Sequence, residues 1–363
     1  MIKKNLKALL LSFALCSVAC AQIPNGYYDS AQGLQGYALK TALKNIIKNH
    51  TVLSYGSLNG YYNQTDKDLY FENDGSLLDI YSEKPTSAEA YTYGFGNADQ
   101  CGTYDEEGDC WNKEHVFPQG FFNEQLPMRT DLHQVLPTDG YVNNRRGNYN
   151  FGKVNSASWT STNGSKVGPN VFPGYSGTVF EPIDEFKGDI ARIMLYFATR
   201  YEDQVTSSSW DNHNTQNNPL NGTNNQVYED WIIELFIAWH QQDPVSQKEI
   251  DRNNKVYQIQ GNRNPFVDHP EWVLLVWRPN MDVSEVNAQE VSFFPNPVKN
   301  ILNIKSEKTI EKIEIISATG QKVQTGKPNS KDVEINMNHL PKGVYIVKYT
   351  IDGKVSTEKV VKK

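Results

Sequence analysis

The spacing of apolar residues changes near Val283, and no single sheet or bundle accommodates both patterns. Upstream, four stretches repeat apolar residues every three to four positions, the period of an amphipathic helix. They run from Leu34 to His50 (Leu39, Leu43, Ile46 and Ile47 on one face), Phe186 to Asp203 (Ile190, Ile193, Met194, Phe197 and Ala198), Tyr228 to Asp243, and Pro244 to Gly261. Residues 70–180, between them, are mostly short apolar runs broken by turns. That is an α+β pattern, not the regular βαβ alternation of a doubly wound sheet. Downstream, "FFPNPVKNILNIKSEKTIEKIEIISATGQKV" alternates apolar and polar residues, with Asn-Pro, Thr-Gly and Asp-Gly supplying turns in the tail. The expected organisation is a mixed domain over residues 22–283 and a small all-β sandwich over residues 290–363.

The opening "MIKKNLKALLLSFALCSVACAQ" belongs to neither. Lys3, Lys4 and Lys7 precede an apolar run from Ala8 to Val18, and Ala19-Cys20-Ala21 supplies a small-residue cleavage signal. This predicts a secretory signal peptide over residues 1–21, too short and wrongly flanked for a membrane span. A lipoprotein acylated at Cys20 is the rival, and Ser17 stands where that signal carries an aliphatic residue. Removing residues 1–21 leaves Cys101 and Cys110. In an exported protein two such cysteines are expected to form a disulfide, here closing "CGTYDEEGDC".

Residues 22–289 hold 19 basic and 34 acidic side chains, a net charge of −15. A body this acidic repels a polyanion on average. Residues 111–153 depart from it, with five basic side chains against four acidic ones. The same segment, "CWNKEHVFPQGFFNEQLPMRTDLHQVLPTDGYVNNRRGNYNFG", gathers Glu114, His115, Asp131, His133, Asn143, Asn144 and three arginines.

Three chemistries compete for these groups. Zinc hydrolysis would use His115, His133 and a carboxylate, yet the two histidines lie 18 positions apart across prolines instead of one helical turn apart. Alternatively, both histidines are hydrogen-bonded core residues and the arginines surface charge. Phosphodiester hydrolysis fits the whole set. A hard divalent cation takes a carboxylate and an amide oxygen, Glu114 and Asn143. A histidine of near-neutral pKa, His115, deprotonates the attacking water. An arginine among Arg129, Arg145 and Arg146 steadies the charge on the phosphate oxygens. His213, in an Asn/Ser/Thr-rich loop, is expected to be solvated, and His240 and His269 structural.

The stretches "WNKEHVFPQ", "RTDLHQVLPTDGYVNNRRGNYNFG", "FKGDIARIMLYFATRY" and "QGNRNPFVDHPEW" resemble the endonuclease I family, secreted bacterial nonspecific nucleases of the ββα-metal (His-Me finger) type. The resemblance implies that His115 activates water and that Glu114 and Asn143 bind the metal. It also implies that the first strand delivers the base and the following strand and helix the ligands. Arg129 and Arg145 are the candidates for the phosphate-stabilising arginine. Asp131 and His133 recur in the motif, and a structural task near the metal, such as orienting a ligand through a hydrogen bond, is expected. Mg²⁺ is the expected cofactor, with Mn²⁺ and Ca²⁺ compatible with the same oxygens. The implied substrate is DNA and/or RNA, cut without sequence preference by a monomer to leave 5′-phosphate ends. The tail, through "PNPVKN", "ISATGQKV", "LPKGVYIVKY" and "KVVKK", resembles the sorting domain of the type IX secretion system, which implies that machinery as a partner and a secreted or surface-attached product. The competing class is a non-catalytic surface binding protein or adhesin, which has no use for an intact Glu-His and Asn set.

Overall fold

The computed structural model describes residues 23–207, 210, 218–279, 291–317, 322–352 and 354–363. The signal peptide expected over residues 1–21 and the loop residue His213 lie outside them. The chain divides into two compact units between Pro279 and Asn280.

In the first unit the helical periods become helices. Helix α1 (Gly36–Ile47) buries Leu39, Leu43 and Ile47 at four-residue spacing. A four-residue helix, α2 (Tyr62–Thr65), follows. Helix α4 (Lys187–Arg200) is buried on every side, although its sequence carries one apolar stripe. Its charges are paired inside: Arg192 grips Glu249 through Nε at 2.5 Å and Nη2 at 2.7 Å. Lys40 of α1 reaches Glu202 and the carbonyl of Ala198. Helix α5 (Asp230–Gln242) packs on α4. Helix α6 (Gln247–Gln260) starts at a capping box formed by Ser246 and Glu249 and stops at Gly261, whose φ of +86° suits glycine. Two short helices, α7 (Pro265–Asp268) and α8 (Trp272–Trp277), close the unit.

The interval 70–180 is strand-poor, as its short runs suggest. Strands β1 (Trp111–His115) and β2 (Val135–Asp139) pair antiparallel, with Glu114 opposite Leu136 and His115 opposite Val135. Helix α3 (Gly140–Arg146) begins where β2 ends. This β-β-α unit is followed by a four-stranded sheet of β3 (Asn150–Phe151), β4 (Trp159–Thr160), β5 (Lys166–Pro169) and β6 (Thr178–Glu181), in the order β3-β6-β5-β4. Cys101 and Cys110 are disulfide-bonded, with Cα atoms 5.7 Å apart, immediately before β1.

The second unit is all-β: β7 (Val291–Phe294), β8 (Ile301–Ser317), β9 (Lys322–Gly326), β10 (Ser330–Asn336), β11 (Gly343–Ile351) and β12 (Lys354–Lys362). The long β8 pairs with β7 and most of β10 along its first part and with β9 and β11 along its second. Its inward residues, including Leu302, Ile304, Ile310, Ile313 and Ile315, share one core with Val347 and Val360.

Candidate active site

The β-β-α unit brings four polar side chains, Glu114, His115, Asn143 and Arg146, to one cleft of ≈ 420 Å³. Tyr55, Lys113 and Gln119 also line it. Glu114 and His115 are consecutive at the end of β1, while Asn143 and Arg146 are three apart on α3 and share a face.

Helix α3 is held in place by Asp139, its N-cap. One carboxylate oxygen accepts from the Val142 N–H at 2.7 Å, the other from the Tyr93 hydroxyl at 2.7 Å and the Gly108 N–H at 2.8 Å. The Asp139 N–H in turn donates to Asp79 at 2.7 Å. Burial and the neighbouring Asp139 push Asp79 up to about 8. Asp139→Ala strips the cap and leaves the buried Tyr93 hydroxyl and the partly buried Gly108 N–H unmatched, so it should cost about 2–4 kcal/mol. Chemical denaturation followed by the helical signal measures that loss, and a cost below about 0.5 kcal/mol would show α3 anchored otherwise.

Glu114 is 2 % exposed. Its Oε1 accepts from the Tyr81 hydroxyl at 2.8 Å and lies 3.3 Å from the Arg146 guanidinium. Burial raises the pKa of this carboxyl, while Arg146 and Tyr81 pull it down. Both interactions fall on Oε1, and neither uses Oε2. Asn143 donates its amide nitrogen to Asn112 Oδ1 at 2.6 Å and to the Lys113 carbonyl at 3.3 Å. With the nitrogen engaged on two acceptors, the amide presents its oxygen elsewhere. A carboxylate oxygen and an amide oxygen on facing elements suit a hard divalent cation.

His115 is fixed from behind. Its Nε2 meets the Arg129 carbonyl at 3.0 Å. A carbonyl only accepts, so Nε2 carries the hydrogen and Nδ1 keeps a lone pair. Burial, with the nearby Arg129, Lys113 and Arg146 charges, pushes the imidazole down to about 4. The ring lies parallel to Tyr55, centroids 6.2 Å apart.

The three arginines separate sharply. Arg146 is buried and spends its guanidinium on the carbonyls of His115 (3.2 Å) and Val116 (2.7 Å) and on Glu114. It ties the end of β1 to α3 and partly offsets the burial that raises the pKa of Glu114. Arg129 lies over Tyr55 at 4.5 Å and pairs with the exposed Glu124 at 2.8 Å, beside His115. Arg145 is exposed and lies over Trp159 at 5.2 Å, away from the cleft lining.

His133 is structural, as expected, but not through a metal ligand. Its Nε2 meets the Asn262 carbonyl at 3.0 Å and its ring packs on Tyr196, so it orients no ligand in the cleft. Asp131 is a buried hub that accepts from Gln260, Tyr196 and Tyr201, each at 2.7 Å. Together they fasten the β1–β2 connection to α4 and α6. Phe121 and Phe122 are core residues, whereas Tyr141 and Tyr149 are half-buried. His240 approaches Arg192 at 3.2 Å, and His269 stacks on Trp272. Tyr55, Tyr81 and Asn112 support the site without a sequence signal of their own. Only Asn112, inside "WNKEH", lies where a local search would look.

A family model described as Endonuclease I matches residues 35–271, the whole of this site included. The chain belongs to the endonuclease I family. Members are nucleases, hydrolases of nucleic acid that are generally metal-dependent. The chain is 35 % identical over 257 residues to an extracellular ribonuclease of Bacillus amyloliquefaciens, covering 69 % of this chain and 78 % of that protein. It is 34 % identical over 274 residues to an extracellular ribonuclease of Bacillus subtilis, covering 73 % and 84 %. An extracellular deoxyribonuclease of Aeromonas hydrophila is 25 % identical over 160 residues, covering 44 % and 58 %. Residues 292–363 match a secretion system C-terminal sorting domain, so this family member is secreted or surface-attached.

Proposed function

We propose that the chain is an exported, Mg²⁺-dependent endonuclease that hydrolyses phosphodiester bonds of DNA and/or RNA with little sequence preference and acts as a monomer. What carries the proposal is the convergence of Glu114, His115 and Asn143 on one cleft, with His115 pinned so that Nδ1 is its basic atom. Glu114 and Asn143 would hold the cation, which supplies positive charge to the phosphate and to the departing oxygen. His115 Nδ1 takes the proton of the attacking water, and the Arg129 carbonyl on Nε2 stabilises the imidazolium that results. We assign the phosphate contact to Arg129, once released from Glu124, because it lies over Tyr55 of the cleft lining. Arg145 on the outer face of α3 is left a contact with the substrate backbone further along. Mn²⁺ and Ca²⁺ suit the same two oxygens.

Residues 22–283 form the catalytic domain in this proposal, and residues 290–363 address the chain to the type IX secretion machinery after removal of residues 1–21. The two ribonuclease relatives are the more similar, and a deoxyribonuclease is matched as well, so both polymers are expected substrates. Phosphate contacts carry no sequence information, and the acidic body keeps affinity low. Supercoiled plasmid and a structured RNA, each incubated with the purified chain in Mg²⁺, should both be cut, and EDTA should stop the cutting. At subsaturating substrate the rate should fall steeply as salt rises, because the phosphate contacts release counterions. A salt-independent rate would contradict phosphate-dominated binding. Intact plasmid and RNA with every divalent metal would make the chain a binding protein instead.

A further inference from the structure

A second set of hard oxygen ligands lies outside the cleft. Carboxylate oxygens of Asp68, Glu72 and Glu83 all fall within 4.8 Å of one another. Glu83 is 0 % exposed, and no amide, hydroxyl or cationic donor reaches either of its carboxylate oxygens; the group that meets it is another carboxyl, Glu89. Asp68, 1 % exposed, is aimed by three backbone N–H groups: Tyr70 at 3.0 Å, Phe71 at 3.1 Å and Asn73 at 2.8 Å. Glu72 is exposed at the rim, and Glu89 adds a fourth carboxyl beside Glu83. Among the described residues no Lys or Arg ion-pairs with any of the four. A buried carboxylate without donor or counter-charge is costly, and grouping several multiplies the cost.

We propose that Asp68, Glu72 and Glu83 hold a Ca²⁺ ion. Ca²⁺ takes six to eight oxygen ligands at about 2.3–2.6 Å, so two of its ligands stand up to about 5 Å apart. The 4.8 Å span fits that reach. Mg²⁺, at about 2.0–2.1 Å, draws its ligands within about 4.2 Å and demands octahedral order. An ion here would fasten the turn at 68–76 to the segment carrying Glu83. That segment also carries Asp79, which receives the Asp139 N–H, and Tyr81, which donates to Glu114. Ca²⁺ at this position would therefore brace the supports of the catalytic cleft without being part of it.

The test is thermal melting of the EDTA-stripped full-length chain, followed by circular dichroism at the helical band, with and without Ca²⁺. Helices among the described residues lie in the first unit, so the signal reports on the unit that contains the site. At Ca²⁺ a hundredfold above its Kd, Tm should rise by about 5–10 °C, and Mg²⁺ should do less. Because Ca²⁺ also suits the cleft oxygens, Glu83→Gln and Glu72→Gln are each made in the Glu114→Gln background, where each should abolish the rise. Metal-free Glu83→Gln should melt at or above metal-free wild type, because it removes a charge from the cluster. Glu114→Gln should keep the Ca²⁺ rise, which separates this site from the cleft. No rise in the wild type up to about 10 mM Ca²⁺, tenfold above the roughly 1 mM weak end of extracellular calcium sites, would overturn the proposal and leave a proton shared between Glu83 and Glu89. A rise that survives both substitutions in that background, or vanishes in Glu114→Gln alone, would overturn it equally. If Glu83→Gln fails to fold, exposed Glu72→Gln decides alone.

Discussion

His115→Ala is expected to lower kcat for phosphodiester cleavage by about 10²–10⁴-fold, the share a positioned general base contributes. KM should change little, since substrate is gripped through phosphates and not through this ring. The expectation follows from the hydrogen bond to the Arg129 carbonyl, which fixes both the tautomer and the direction of Nδ1. The imidazole also packs near Tyr55 and Phe122, so rates should be compared well below the melting temperature of each protein. Initial rates on plasmid and RNA under saturating Mg²⁺ read the effect. A variant within threefold of wild type would remove His115 from the chemistry.

Glu114→Gln should act on the metal first. Gln keeps an oxygen for Tyr81 and Arg146 and keeps the side chain's volume, so the fold should survive. What it loses is the one negative charge facing the cation in the cleft lining. Removing a group one shell further out commonly costs 10–100-fold in metal affinity. A direct ligand should cost at least that, seen as a rise in the Mg²⁺ concentration giving half-maximal rate. Unchanged metal dependence would mean that the ion sits elsewhere. Asn143→Ala should shift the same curve in the same direction, with little effect on stability because Asn143 is only half-buried.

The helices were readable because their period is a repeated local signal. Leu39, Leu43 and Ile47 announce α1, and Ser246 with Glu249 and Gly261 bracket α6. Central α4 was readable as a helix but not as a wholly buried one. Its charged residues look solvent-facing until Glu249 and Lys248 arrive from 57 and 59 positions away. The motif singles out Glu114, His115 and Asn143, which the fold brings to one cleft, whereas it does not tell the arginines apart. Geometry explains this: on α3, Arg146 lies one turn from Asn143 and Val142 and turns inward, while adjacent Arg145 is rotated about 100° away. Tyr55 and Tyr81 were invisible because they reach His115 and Glu114 across 60 and 33 positions with no local pattern. The partner of His133 was equally hidden, since Asn262 is 129 positions away.

The most direct test of the cleft is a crystal of the full chain soaked in Mn²⁺ and measured at the manganese absorption edge. An anomalous peak bound to a Glu114 oxygen and the Asn143 oxygen, on the side of the cleft faced by His115 Nδ1, is the predicted result. A cleft without a peak at full Mn²⁺ occupancy elsewhere, or a peak on His115 itself, would contradict the assignment of ligand and base.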